Sequence, residues 1–231
     1  MDALAALFAD PGSRQMLCLT ARVTLAGLLL HALFGLAIGY ALSRPTWRGR
    51  GLLDLAVTLP LVFPPMATGF LLLMLLGRRG PVGGPLREWF GIEPVFAFSG
   101  LIVAAFIAGL PLVVKPVQSA FENIPKILPE AAQTLGKTEW QIFWHILLPN
   151  IRNALIGGLI LATGRSLGEV GMTLMLGGNI EGRTVTASLD IYNAVTTGDF
   201  ERAAAVSALL GMLTTGLFIL LRRNARAPLG W

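Results

Sequence analysis

The chain has 231 residues, of which 54% are hydrophobic and only 13% charged, and its mean hydropathy is +0.69. A water-soluble domain of this size carries far more charge, so this is the composition of a membrane protein. The net charge of +5 is spread along the chain without a Lys/Arg-rich run, which leaves nucleic-acid binding without support, and the lone Cys18 excludes an intrachain disulfide and a cysteine-based metal cluster.

The N-terminal stretch MDALAALFADPGSR has no basic region ahead of its apolar part and does not read as a cleaved signal peptide; residues 3–9 read as an interfacial helix ending near Asp10-Pro11-Gly12. A spanning helix needs roughly 20 mostly apolar residues. The first such stretch is 17–42, with Arg22 near its outer end, His31 near its middle and Ser43-Arg44-Pro45 closing it. The second, 52–76, carries Pro60, Pro64 and Pro65 and is expected to be kinked or broken at mid-depth. Residues 77–98 are a Gly/Pro-rich loop with one short interfacial helix around Leu86–Phe90. The third span, 99–117, is expected to be interrupted at Pro111 and to end near Lys115-Pro116. A polar segment over 119–152 precedes the fourth span, 153–176. A connection with a short helix at Thr186–Val195 then leads to the fifth, 203–221, and a basic tail. The whole reads as one transmembrane domain, 1–231, all-α, with about five spans.

Five spans put the termini on opposite sides. One side collects Arg44, Arg48, Arg50, Lys115, Lys126, Lys137, Arg152, Arg222, Arg223 and Arg226; the other has Arg14, Arg78, Arg79, Arg87, Arg183 and Arg202. The richer side is expected in the cytoplasm, which places the C-terminus inside, the N-terminus outside, and the 119–152 segment inside.

No Gly-x-x-x-x-Gly-Lys-[Ser/Thr] loop is present, and Gly80-Pro81-Val82-Gly83-Gly84 lacks the lysine and helix that phosphate binding requires, so the chain is not expected to hydrolyse nucleotide or to need a cofactor. His31 and His145 stand on different elements without convergent partners for a zinc or Ser–His site. His145 is read either as an interface residue or as a headgroup-level histidine. Arg165 and Glu169, spaced i,i+4 inside the fourth span, share a helix face. They read either as a structural pair, within one chain or across a dimer, or with Arg165 as a sensor of a passing oxyanion. The structural reading is favoured, because a permanent strong anion site traps what it should conduct. Gly164 and Gly168 on that span, like Gly35 and Gly39 on the first, carry the Gly-x-x-x-Gly spacing of close helix contacts.

Glu130 to Pro149, EAAQTLGKTEWQIFWHILLP, reads as two short helices about a glycine bend. Pro129 suits a helix start, Gly136 a left-handed turn, Thr138 a second cap and Pro149 a stop, while Ala131 and Ala132 leave a shallow face for a partner. This segment resembles the "EAA loop" of the membrane subunits of binding-protein-dependent ABC importers, matching it at Glu130-Ala131-Ala132, Gly136 and Ile146, Leu148, Pro149. The run from Gly164 to Tyr192, GRSLGEVGMTLMLGGNIEGRTVTASLDIY, and that from Leu59 to Leu86 resemble molybdate permease subunits, and the likeness covers most of 15–222. Tungstate and sulfate permeases share parts of it; Gly178-Asn179-Ile180 and Arg183-Thr184 fit the molybdate/tungstate side.

The resemblance implies the type I ABC importer permease fold, with the Glu130–Gly136 stretch as a cytoplasmic coupling helix. It also implies a homodimeric pore in the cell inner membrane, two cytoplasmic ATPase subunits and a periplasmic or lipid-anchored molybdate-binding protein. Translocation of the oxyanion would proceed by alternating access, with Glu130 making polar contacts near the ATPase cleft and Gly136 supplying the bend. Pore lining is expected from the Pro60–Gly69 break and the face bearing Arg165, Ser166, Glu169 and Thr173. The competing readings are a sulfate or thiosulfate permease, a transporter working alone, and an intramembrane enzyme, for which no Ser–His or Asp–Asp pair is at hand.

Overall fold

A computed structural model describes residues 9–44 and 47–225. The helix expected at residues 3–9, Pro45 and Arg226 fall wholly or mostly outside them. Every regular element among the described residues is helical.

Helix α1 runs Pro11–Ser43. Asp10 caps it: the carboxylate accepts from the amides of Gly12 (3.3 Å) and Ser13 (2.8 Å) and from the Ser13 hydroxyl (2.7 Å). The Ser13 hydroxyl and these amides hold the Asp10 carboxyl below its ordinary range. Midway, His31–Gly35 forms a π-helical turn. Then follow α2 (Arg50–Val62), α3 (Pro65–Leu76), the short α4 (Gly83–Phe90) and α5 (Phe98–Glu122). The polar segment holds α6 (Ile127–Thr134), and α7 runs Glu139–Leu167 with a second π turn at Phe143–Leu147. Helices α8 (Gly171–Gly177), α9 (Ala187–Thr197) and α10 (Phe200–Ala225) complete the chain.

Among the described residues, four helices are long and apolar enough to cross a bilayer: α1, α5, α7 and α10. The second expected span is split. Phe63 and Pro64 each precede a proline, which disfavours helical ψ, and both are extended (ψ 143° and 134°). Pro60, by contrast, stays inside α2.

Helix α5 is the hub. Leu101, Ala104, Val113, Val114 and Val117 are fully buried along it. Helix α1 lies against it through Gly35 and Gly39. A β-carbon on Gly35 would stand 2.5 Å from Val113 Cγ1, and one on Gly39 2.6 Å from Val117 Cγ1. Helix α7 packs on it as well, where a β-carbon on Gly158 would meet the Leu112 carbonyl at 2.9 Å. This enclosure corrects the expectation for the third span. Both Pro111 and Pro116 sit within α5, which continues to Glu122. Each proline forfeits one helical bond, yet packing against α1 and α7 holds the backbone straight enough to carry on.

Pro149 likewise does not end its helix. In the π turn the Leu148 amide bonds back to the Phe143 carbonyl, five residues away, so the widened turn absorbs the donor missing at Pro149. The fourth span therefore begins well before residue 153. It ends earlier than expected, at Leu167, where Gly168–Val170 break it from α8.

Gly35→Leu forces a side chain into Val113 and should lower stability by about 1–3 kcal/mol. Gly157→Ala, at a helical glycine with nothing within 4 Å, should not. Thermal unfolding of the purified chain in detergent distinguishes them.

Candidate coupling hairpin and translocation site

At one end of the molecule α6 and the start of α7 form a hairpin. Helix α6 turns at Gly136, whose φ of +75° is left-handed, with the Gly136 amide bonding to the Gln133 carbonyl (2.9 Å) and the Lys137 amide to that of Ala132 (3.0 Å). Thr138 opens α7 with a capping box: its hydroxyl accepts from the Gln141 amide (3.3 Å), and the Gln141 side-chain oxygen accepts from the Thr138 amide (3.0 Å). The hairpin is thus two capped helices held by local bonds. Helix α6 starts at Ile127, two residues before Pro129. Glu130, Ala131 and Gly136 are exposed, and Ala132 is the buried residue of α6. Ile146, Leu148 and Pro149 lie on α7 where it leaves the hairpin. His145 bonds locally, through Nδ1 to the Gln141 carbonyl (2.9 Å).

The same end gathers the C-terminus of α1, the N-terminus of α2 and the C-terminus of α5 around a cavity of about 590 Å³, lined among others by Arg44, Arg50, Lys126, Glu130 and Glu139. Arg50 pairs there with Glu122 (3.1 Å), and one turn further in, Lys115 of α5 pairs with Asp54 of α2.

The two interrupted spans meet. A β-carbon on Gly171 would lie 3.0 Å from the Met66 amide and 3.1 Å from Pro65 Cβ; one on Gly69 would lie 2.9 Å from Met172 Cα. Helices α3 and α8 therefore run side by side from breaks at the same depth. Glu169, 2% exposed, sits in the second break. Its carboxylate takes the Arg165 guanidinium (2.5 Å) on one oxygen and caps α8 through the Met172 amide (2.9 Å) on the other; its carbonyl accepts from Ser188 of α9 (3.0 Å). Arg165 and Glu169 are thus brought together, with Arg165 about one-third exposed. Ser166 donates to the Ala105 carbonyl of α5 (2.7 Å), and Thr173 is buried on α8.

Three further arrangements have no local signal in the chain. Asp190 and Arg202, twelve residues apart across the Gly198 turn, form a two-bond fork at 3.0 Å each. Arg202 also reaches the Ser13 hydroxyl (3.4 Å), tying α9, α10 and the start of α1 around an open cavity of about 670 Å³ at the opposite end. His31, wholly buried in the first π turn, stacks on Phe106 and bonds its carbonyl through Nε2 (2.9 Å), leaving Nδ1 without a partner.

Long apolar helices around two broken ones, with a polar hairpin at one end, define a membrane-embedded transport subunit. The chain belongs to the family of binding-protein-dependent transport system inner membrane components, which matches residues 32–226. It is 37% identical over 220 residues to the molybdenum transport system permease protein ModB of Escherichia coli K12, covering 94% of this chain and 96% of that protein. It is 38% identical over 208 residues to the chloroplastic sulfate permease 2 of Chlamydomonas reinhardtii, covering 90% of this chain and 56% of that one. To the sulfate transport system permease protein CysW of Synechococcus elongatus it is 32% identical over 211 residues, or 91% of this chain and 73% of that protein. The fold matches the crystal structure of a bacterial ABC transporter involved in the import of alginate, with a TM-score of 0.74 at 21% identity, over 98% of this chain and 83% of that one.

Removing only the cation should be costly. Arg165→Met leaves Glu169 buried and uncompensated, a loss of about 3 kcal/mol, whereas the double change Arg165→Met, Glu169→Gln, which removes the charge but keeps an oxygen for the Met172 amide, should recover most of it. A double-mutant cycle of unfolding in detergent reads this out; equal losses in the single and double variants would contradict a structural pair.

Proposed function

We propose that two copies of this chain form the pore of an ATP-driven importer that carries molybdate into the cell by alternating access. The observation that carries the reading is the hairpin. It is exposed, capped at both helices and bent at a left-handed glycine, and it stands at the end that collects Arg44, Arg48, Arg50, Lys126 and Lys137. Positive charge concentrates on cytoplasmic faces, so this end is assigned to the cytoplasm, where a separate ATPase subunit can grip it. Full-length similarity to ModB supports molybdate as the cargo and an oxyanion-binding protein as the donor on the other side. The similarity to sulfate permeases supports sulfate as the second reading.

In this reading ATP closes two ATPase subunits, which draw the two hairpins together. Glu130 contacts the cleft, the exposed Ala131 allows close approach, and Gly136 keeps the bend, while Ala132, expected on the partner face, is instead buried within the chain. The paired breaks at Phe63–Pro64 and Gly168–Val170 expose backbone groups that lipid cannot satisfy, which favours their facing a second copy and a hydrated path rather than hydrocarbon. Helices α2 and α3 together make the fifth crossing. Glu169 neutralises Arg165, so the path near Thr173 offers an oxyanion brief polar contacts rather than a trap.

Vesicles holding the chain with its ATPase and binding protein should take up labelled molybdate on addition of ATP. Parallel assays with tungstate and sulfate decide the cargo, and sulfate uptake exceeding molybdate uptake would move the assignment. At Gly136 a side chain meets nothing within 4 Å, so only backbone conformation opposes substitution. Gly136→Pro should abolish uptake with the protein still in the membrane, while Gly136→Asn, tolerant of positive φ, should retain most of it. Full uptake by Gly136→Pro would defeat the coupling role.

A further inference from the structure

The hairpin has little grip on the rest of the chain. Of the eight residues of α6, only Ala132 is buried, and Ile127 and Leu135 are 70% and 79% exposed. Force applied to α6 therefore leaves through its two chain connections and its contact with the first turns of α7. One runs back through Asn123–Lys126, where the Ile124 amide bonds to the Phe121 carbonyl (3.2 Å) at the end of α5. The other runs forward through the Thr138 capping box into the first turn of α7, which delivers Phe143.

These two routes end on the same spot. The Phe121 and Phe143 rings lie 6.4 Å apart, nearly parallel at 27°. Tyr40 of α1 completes the cluster, meeting Phe121 edge-on at 5.1 Å and Phe143 edge-on at 5.3 Å. Outward from Phe143, Trp140 stacks on it (6.4 Å) and Trp144 meets it edge-on (5.7 Å), both exposed. Inward, the three rings join the buried cluster of Val113, Val117 and Ile151. Three long helices, α1, α5 and α7, thus touch at one aromatic contact, a single turn from the hairpin. Phe143 also opens the π turn, the one place in α7 where the helical register is already widened.

We propose that Tyr40, Phe121 and Phe143 are the pivot through which displacement of the hairpin reaches the spans. The inference rests on the coupling role argued above and adds the residues that transmit it. Aromatic rings are stiff, and a close-packed cluster repacks between discrete arrangements rather than yielding gradually. A push on α6 turns Phe143 and Phe121 together, and Tyr40 carries the same turn into α1. These are positioning residues: none of them touches nucleotide or oxyanion.

The test uses the complete complex in vesicles and reads assembly, ATP hydrolysis and uptake per ATP separately. Phe143→Leu should assemble and hydrolyse ATP within about twofold of the parent, while uptake per ATP falls about tenfold, within the usual range of coupling between sites. Tyr40→Leu, on a helix that does not form the hairpin, should do the same. Phe143→Tyr and Tyr40→Phe should keep coupling intact. Leu159→Ala, in the same apolar cluster but sixteen residues along α7 from Phe143, should lower the unfolding temperature and leave uptake per ATP unchanged. Unchanged uptake per ATP in an assembled Phe143→Leu complex overturns the proposal, as does an equal fall in Leu159→Ala. Loss of assembly in both Phe143→Leu and Tyr40→Leu assigns the rings to folding and also overturns it. Full uptake by Gly136→Pro instead removes the coupling role itself, whatever Phe143 does.

Discussion

A bilayer supplies no hydrogen bonds, so each interruption of a spanning helix must be answered from within the protein. The structure is organised around two such interruptions. Phe63–Pro64 is a break in which two successive prolines carry no amide hydrogen at all, so few donors are stranded. Gly168–Val170 is answered by Glu169, whose carboxylate caps the Met172 amide while its charge is met by Arg165. The half-helices α3 and α8 can then lie against each other, with glycines at 69 and 171 setting the closeness. Everything outside that pair serves to hold it: α5 behind, α1 and α7 packed on α5, and α9 bonded to the break by Ser188.

The two ends of the molecule are braced by different chemistry. At the end opposite the hairpin, charge and hydroxyl groups dominate: Asp10 on Ser13, Arg202 on Asp190, and the Ala187 amide on the Thr20 hydroxyl (2.9 Å). Such bonds fix distances and angles. At the hairpin end the bracing is a set of rings with apolar neighbours, flanked by the Arg50–Glu122 and Lys115–Asp54 pairs. Ring packing resists compression yet permits rotation, which suits the movement proposed for the hairpin.

Much of this was legible residue by residue where the cause is local. Thr138 as a cap, Gly136 needing a positive φ, and the doubled proline at 64–65 each act within a few residues, and each appears where expected. The paired charges at 165 and 169 were legible for the same reason. What could not be read depends on neighbours far along the chain. Pro111 and Pro116 look like stops, but burial of α5 against α1 and α7 overrides them. Pro149 looks like a terminator, but a π turn just before it supplies the slack. The Asp190–Arg202 fork and the seat of His31 on Phe106 join elements whose approach no spacing rule foretells. Ser166, placed on the path by its face, turns out to be bonded to the Ala105 carbonyl of α5.

The near-complete exposure of α6 has a consequence for how the subunit is made. Ile127 and Leu135 leave greasy side chains standing in water, a liability for a lone polypeptide just released from insertion. A partner that covers them stabilises the folded subunit by mass action, and more so as it grows abundant. With the ATPase partner proposed above, chains made in excess of that partner would therefore be lost to quality-control proteolysis, so that its supply sets how many copies persist.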